Sequence, residues 1–311
     1  MRIAYIDLAK PRKAKNPIVA CIGYFDGMHR GHQKLIEKTK ELAEEHHCGS
    51  ALITFEPDPW VTLRGMKNSD LEHITTMRQK INLAVSYGIE NIYILRFTWE
   101  MSQLSPEEFL GKVLGQLNLK GLVCGFDFHY GKAGEGTAET LKWSVVYPVS
   151  IVDEVSEGGE KISSSRISIL IKEGKMKEAS DLLGHPYEIE GKVIQGRHKG
   201  TLMGFPTANI QIADELIVPK IGVYAAYAKY GMHTYKAMVN IGHNPTMNYT
   251  RNISVEAHLF DFGDNLYGNN ISLYPVQYIR PEMHFRSREN LIMQLEQDSK
   301  TIRAYLTENE K

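Results

Sequence analysis

The sequence predicts an α/β chain in which a parallel sheet flanked by helices is followed by a small antiparallel barrel and a closing helix. Three observations predict it. From Ile18 to about Asp153, short apolar runs alternate with helix-period segments, the pattern of parallel strands joined by crossover helices. From Tyr187 to Arg280 the chain changes to closely spaced strand-like segments with turn residues between them. The 311 residues favour two domains at about 100 to 200 residues each.

In the first half the strands are expected at 18–25, 51–55, 91–97, 122–126 and 145–152. Leu35, Ile36, Thr39, Leu42 and Ala43 recur at helical spacing between the first two. A helix at 75–87 ends at Gly88, and the next opens "SPEE", with Ser105 as cap, Pro106 at the first helical position and Glu108 completing a capping box. After "VSEGGEK" two short helices are expected at 165–173 and 175–183, each closed by a glycine, Gly174 and Gly184. They form a helical connector. The strands that follow are carried by "YEIEGKVIQG", "VYAAYAKYG", "TYKAMVNIG", "ISVEAHLFDFG" and "NNISLYPVQYIR". Five or six such strands imply a closed barrel. An amphipathic helix at 287–306 carries Leu291, Ile292, Leu295 and Ile302 as one stripe.

A net charge of −1 leaves no general electrostatic footprint for nucleic acid or an anionic membrane, so any phosphate binding must be local. No apolar run has signal-peptide or membrane-spanning length, and the expectation is a cytoplasmic protein. Cys21, Cys48 and Cys124 are far apart without a C-x-x-C pair and are read as buried free thiols.

The loop "GYFDGMHRGH" follows the first strand of this set, where open α/β sheets bind ligands. With a helix starting between Met28 and Gly31, His29 and His32 share one face at its positive end, and Gly31 removes a side chain between them. An imidazole pair there can donate to phosphate oxygens during phosphoryl or nucleotidyl transfer; the alternatives are a solvated pair of helix-start histidines and a metal site lacking a third ligand. No G-x-G-x-x-G follows the strand, and "GFDFHYGKA" misses a P-loop, since five residues separate Gly125 from Gly131 and Ala133 stands at the Ser/Thr position. An ordinary dehydrogenase or P-loop kinase is therefore disfavoured.

In the barrel half, Thr207 and Asn209 of "PTAN" fall on one side of an extended segment, where their oxygens can hold a hard cation such as Mg²⁺ that carries nucleotide phosphates. A capped turn is the alternative. In "ISVEAHLFDF", apolar Ile253, Val255 and Ala257 alternate with Ser254, Glu256 and His258, which puts Glu256 on a polar strand face as a general base or as a surface glutamate.

Taken in order, "GYFDGMHRGHQKLI", "TFEPDP", "SPEEFL", "VCGFDFHYGKAGEG", "ISSSRI", "LLGHPYEIEGKVIQG", "GFPTANI", "GVYAA", "VNIGHNPT", "VEAHLFDFGDNLYG" and "RSRENLIMQLEQD" resemble bacterial bifunctional riboflavin kinase/FMN adenylyltransferases, also called bifunctional FAD synthetases, nearly end to end. The resemblance implies a Rossmann-like nucleotidyltransferase domain at 1–158, the connector at 159–184, and a six-stranded riboflavin-kinase barrel with a C-terminal helix at 185–311. It implies phosphorylation of riboflavin to FMN in the barrel and adenylylation of FMN to FAD, with pyrophosphate release and no covalent intermediate, in the first domain.

By that resemblance His29 and His32 match ATP-phosphate histidines, with Gly23, Phe25, Asp26 and Gly31 in the same loop, and Ser163, Ser164, Ser165 and Arg166 match a second nucleotide-binding loop. Phe55, Pro57 and Pro59, with Asp127 and Phe128, match segments near the flavin. In the barrel, Thr207 and Asn209 match Mg-ATP ligands, Glu256 matches the base for the ribityl 5′-hydroxyl, and Gly196, Gly204, Phe205, Pro206 and Asn240 fall in the ATP and flavin segments. The implied partners are Mg²⁺ with ATP as co-substrate and riboflavin, FMN and FAD as substrates or products, with no nucleic acid and no membrane; oligomeric state is left open. The chain departs from the family pattern at Asp58 (His expected), Ser168 (Arg), Thr201 (Arg) and Met247 (Phe). Retention of only one activity, or a flavin- or nucleotide-binding regulator, are the competing readings.

Overall fold

The computed structural model describes residues 1–11, 13–195, 204–243 and 253–309. Its contacts divide the chain into two compact units, 1–71 with 75–164, and 72–74 with 165–311. In chain order the first unit holds β1 (Arg2–Ile6), β2 (Pro17–Ile22), α1 (Arg30–Glu45), β3 (Gly49–Glu56), α2 (Pro59–Arg64), α3 (Met77–Ser86), β4 (Asn91–Arg96), α4 (Trp99–Ser102), α5 (Pro106–Lys112), β5 (Asn118–Gly125), β6 (His129–Tyr130), β7 (Gly136–Thr137), α6 (Ala138–Ser144), β8 (Val149–Val152), β9 (Ser156–Glu157) and β10 (Glu160–Lys161).

Six of these strands form one parallel sheet in the order β1-β4-β3-β2-β5-β8. The strand that opens the expected set, β2, is central and shorter than expected, ending at Ile22. Its run from Ile18 to Ile22 is at most 1% exposed, because a strand between two helical layers must be apolar on both faces. Alternate residues enter different cores: Ile18, Ala20 and Ile22 join one cluster, Val19 and Cys21 the other, which also takes Leu35, Ile36 and Ala43 of α1. The edge strand β1 was not expected, since "RIAYI" has no helical crossover before it to mark it as part of the sheet. Cys21 and Cys124 are buried and free, and burial pushes both thiols up to about 12. Ser105 and Glu108 form the anticipated capping box of α5.

The second unit carries α7 (Ser164–Glu173, from Ser165 onward), α8 (Met176–Leu183), β11 (Ile189–Ile194), β12 (Ala208–Ile212), β13 (Gly222–Tyr230), β14 (His233–His243), β15 (Ile253–Leu259), β16 (Asn270–Arg280) and α9 (Arg288–Glu308). The six strands close into an antiparallel barrel in the order β11-β12-β15-β14-β13-β16. Closure leaves no sheet edge unpaired. Both helices before the barrel end where glycine was expected, Gly174 and Gly184, in left-handed backbone. On α9, Ile302 and Leu306 pack with Val223, Ala225 and Met238 on the outside of the barrel. The expected stripe is corrected in part: Leu291 and Ile292 are only half-buried, and Asp298, 2% exposed, occupies the covered face in their stead. Arg280 of β16 meets its carboxylate in a fork, Nε at 2.9 Å and Nη2 at 2.7 Å from Oδ2.

Candidate active sites

In the first unit the loop from Gly23 to His29 leaves the carboxyl end of β2. Strand order reverses here, with β3 and β4 laid down on one side and β5 and β8 on the other, and such a switch point leaves a crevice for a ligand. The loop is held in an unusual shape. Phe25, Gly27 and Met28 all have positive φ (59°, 75° and 45°), a conformation that non-glycine residues keep only when surrounding contacts enforce it. Those contacts are visible. Phe25 is fully buried; Asp26 Oδ1 accepts from the Thr75 N–H (3.0 Å) and Oγ1 (3.1 Å); the Gly27 N–H donates to Thr75 Oγ1 (2.9 Å); and Ser164 Oγ donates to the Asp26 carbonyl (3.0 Å).

The helix starts at Arg30, so His29 is its N-cap and not, as expected, a member of its face. Its Nδ1 accepts the His32 N–H at 3.3 Å. A backbone N–H can only donate, so neutral His29 carries its proton on Nε2. The two rings nevertheless come together, stacked with centroids 3.7 Å apart at 17°, and Phe25 meets His32 edge-on at 5.1 Å. Gly31 makes this possible: a Cβ there would lie 3.1 Å from the His29 ring. Burial, reinforced by the charges of His29, Lys80 and Lys161, holds the His32 pKa well below its ordinary 6.5. Its Nδ1 is shut from solvent with no hydrogen-bond partner among the described residues. Asp26 turns its carboxylate inward to Thr75, which keeps a negative charge away from the helix start and leaves that start suited to an anion.

The other expected residues of this unit divide into two groups. Ser163 and Ser164 precede α7 and open it; Ser165 and Arg166 fall in the second unit. Phe55 is packed against Phe97 (5.9 Å) in the core, and Phe128 stacks on Tyr130 (6.0 Å) beside the same core, so both support the fold. Pro57 and Pro59 are half-buried. Asp58, at the position that departs from the resemblance, caps α2 by accepting the Trp60 N–H at 2.7 Å. Asp127 is exposed and ion-paired with Lys161 at 2.5 Å. A broad cleft of about 920 Å³ lies at the opposite, amino-terminal edge of the sheet, lined by Arg2, Asn16, Gly49 and Glu90 among others; none of the expected residues reaches it.

In the barrel the strand register aligns the expected side chains. Glu256 on β15 is paired with Asn209 on β12 and with Asn240 on β14. Directly opposed residues of antiparallel strands share a face with Cβ atoms about 4.5 to 5.5 Å apart, so the three form one row on the outer face. Val255 and Ala257 point the other way and are buried, as the alternation anticipated. Next along β15, His258 donates its Nδ1–H to the Pro206 carbonyl (2.7 Å) and receives Phe205 edge-on at 5.3 Å. Pro206 and Thr207 border a cleft of about 280 Å³ whose far wall is the loop from Phe262 to Tyr267. Gly204 lies in a turn with φ 82°. Gly196, Thr201 and Met247 lie outside the described residues. Ser168 is half-buried on α7, and Lys172, one turn on, is ion-paired with Glu72 at 2.5 Å.

Comparison with known proteins decides the family. A model described as FAD synthetase matches residues 11–166 and one described as riboflavin kinase matches residues 183–306. A bifunctional riboflavin kinase/FMN adenylyltransferase of Listeria monocytogenes is 37% identical over 94% of this chain and 93% of its own length. One from Bacillus subtilis is 38% identical over 96% and 95%. The chain belongs to the bifunctional riboflavin kinase/FMN adenylyltransferase family. A solved structure of a macrolide-efflux protein from Streptococcus pneumoniae shares the fold, with TM-score 0.89, 31% identity and coverage of 97% and 98%. That protein's name describes an export activity that neither matching family model carries, and among the described residues of this chain no helix is long and apolar enough to cross a membrane.

Beside the histidine loop the structure adds residues that sequence reasoning missed. Thr75 bonds the loop at Asp26 and Gly27, the Lys80 ammonium lies over the Tyr24 ring, and Lys161 is ion-paired with Asp127. One signal for Lys80 was present. It lies three residues after Met77 and four before Ala84, so it interrupts the apolar stripe of α3.

Proposed function

We infer that the chain converts riboflavin to FMN on the barrel and FMN to FAD on the parallel-sheet unit, each with ATP. The observation that carries the first half is the Asn209–Glu256–Asn240 row. Glu256 takes the proton of the ribityl 5′-hydroxyl as that oxygen attacks the γ-phosphorus of ATP; the bond to the β-phosphate oxygen breaks and ADP leaves. The Thr207 hydroxyl and the Asn209 amide are hard oxygen donors, the kind that suit Mg²⁺ held chiefly by phosphates. Among the described residues no cluster of three His, Cys, Asp or Glu could hold a metal by itself, so the ion fits here as part of Mg-ATP. Bound there, it would supply charge neutralisation on the transferring phosphate.

In the sheet unit an FMN phosphate oxygen attacks the α-phosphorus of ATP and pyrophosphate leaves. His29, with its Nε2–H, and the N-terminus of α1 receive the negative charge that builds on the phosphate oxygens. His32, held neutral, stacks beneath His29 and sets its orientation. Pro57, Pro59 and Asp127 are the flavin-side residues of this reading. Ser163 and Ser164 belong to its nucleotide side.

The test is to incubate purified protein with Mg-ATP and either riboflavin or FMN, under air and under reducing conditions, and to resolve FMN and FAD by chromatography. Both conversions are expected. Failure of FMN to yield FAD under either condition would remove the adenylyltransferase assignment and leave a riboflavin kinase.

A further inference from the structure

A lysine buried in a protein core is expensive, because its ammonium leaves water. Lys80 of α3 is 2% exposed. Its Nζ stands 3.7 Å from the centroid of the Tyr24 ring, a cation–π contact made by the residue just before the left-handed Phe25. The carboxylates of Asp26, Asp58 and Glu56 surround it electrostatically and favour its charged form. Each comes from a different part of the site: Asp26 from the histidine loop, Glu56 from the end of β3, Asp58 from the cap of α2. Asp26 in turn accepts from Thr75 through its side chain and from Ser164 through its carbonyl. One ammonium therefore serves two segments, 23–32 and 55–59, and the first of them is also held by Ser164. The helix that supplies it carries no residue given a role in the reaction.

We propose that Lys80 is a positioning residue for adenylyl transfer, whose buried charge holds the loop bearing His29 and His32 in its left-handed conformation and ties it to the Glu56–Asp58 segment. The proposal rests on assigning adenylyl transfer to this unit. Removal of the charge leaves three carboxylates without their shared counterion, and the loop that depends on them loses its register with the ATP phosphates. Stability should move in the opposite direction. Burial lowers the Lys80 pKa from 10.5 to about 8, so the folded unit holds this proton less tightly than the unfolded chain, and a neutral side chain of similar length removes that penalty. A residue kept for function at the expense of stability differs in this respect from an ordinary core residue.

The experiment compares wild type with Lys80→Met and Lys80→Arg, following FMN to FAD conversion, riboflavin phosphorylation and thermal unfolding in each. In Lys80→Met the kcat for FAD formation should fall about 10- to 100-fold, the effect of misplacing reacting groups, with the KM for ATP changed less than about threefold. Riboflavin phosphorylation should be unchanged and Tm should not fall. Lys80→Arg, which keeps the charge, should recover most of the lost kcat. In wild type, FAD formation should drop about tenfold between pH 7 and pH 9 as a single group near pH 8 loses its proton. The charged groups around it are Asp26, Glu56 and Asp58, and His32 is held neutral throughout that range. Lys80→Arg keeps its charge throughout that range, so the alkaline drop must be absent in that variant.

Wild-type kcat in Lys80→Met would overturn the proposal. So would a level wild-type pH profile from 7 to 9, a reading that does not depend on any variant folding. Parallel loss of Tm and of both activities in Lys80→Met would mark Lys80 as a packing residue only. Absence of FAD formation in wild type would instead remove the underlying assignment.

Discussion

The Nδ1 of His29 accepts the backbone N–H of His32 at 3.3 Å, so the ring that faces the helix start also caps it. The cap and the proposed phosphate contact fall on one imidazole, and substitution can separate them. His29→Asn retains a capping acceptor, whereas His29→Ala loses it at about 1 kcal/mol. Both variants should lose FMN to FAD conversion while riboflavin phosphorylation continues. Only His29→Ala should show a lower urea midpoint; equal midpoints would mean that the cap is not made in solution.

His32 titrates below the ordinary histidine range because burial and the neighbouring positive charges of His29, Lys80 and Lys161 oppose its protonation. The unfolded chain takes up that proton near pH 6.5 and the folded unit does not, so the unfolded state binds more protons as pH falls below 6.5. Stability of the parallel-sheet unit should therefore decline below that pH. His32→Gln should flatten the decline, read as the urea midpoint between pH 7 and pH 5. An unchanged slope in this variant would place the acid sensitivity elsewhere.

Glu256 sits between Asn209 and Asn240 on adjacent strands. Glu256→Gln keeps shape and hydrogen bonding but removes the base. Riboflavin phosphorylation should fall about 10²- to 10⁴-fold, the usual size of general-base catalysis, with FAD formation from supplied FMN retained. A kinase turnover equal to wild type would make Glu256 a surface residue.

Asp298 is enclosed by the Arg280 fork and by Gln294, whose Nε2 donates to it at 2.8 Å. Asp298→Ala leaves a guanidinium that is only 15% exposed without its partner, a change that costs about 3 to 5 kcal/mol. Chemical denaturation should show this as early unfolding of the barrel unit. The double variant Arg280→Met/Asp298→Leu should recover most of the loss, since an apolar pair of similar volume substitutes well for a buried ion pair.

Local pattern alone determined much of this protein. The apolar run before Gly23, the caps at Ser105, Gly174 and Gly184 and the alternation around Glu256 are all short-range signals, and the elements they predict are present. Ordered motifs along nearly the whole chain were enough to indicate the family. Only the tertiary structure decided which distant residues meet. Strand register depends on how the barrel closes, so nothing local could place Asn209 and Asn240 on either side of Glu256. The helix starts at Arg30, inside the expected window, and the tertiary contacts of loop residues 25–28 with Thr75, Ser164 and a buried core make His29 its cap. In the sequence Lys80 only interrupts an apolar stripe. Its burial beneath Tyr24 is a property of packing, where long-range contacts outweigh the preference of an ammonium for water.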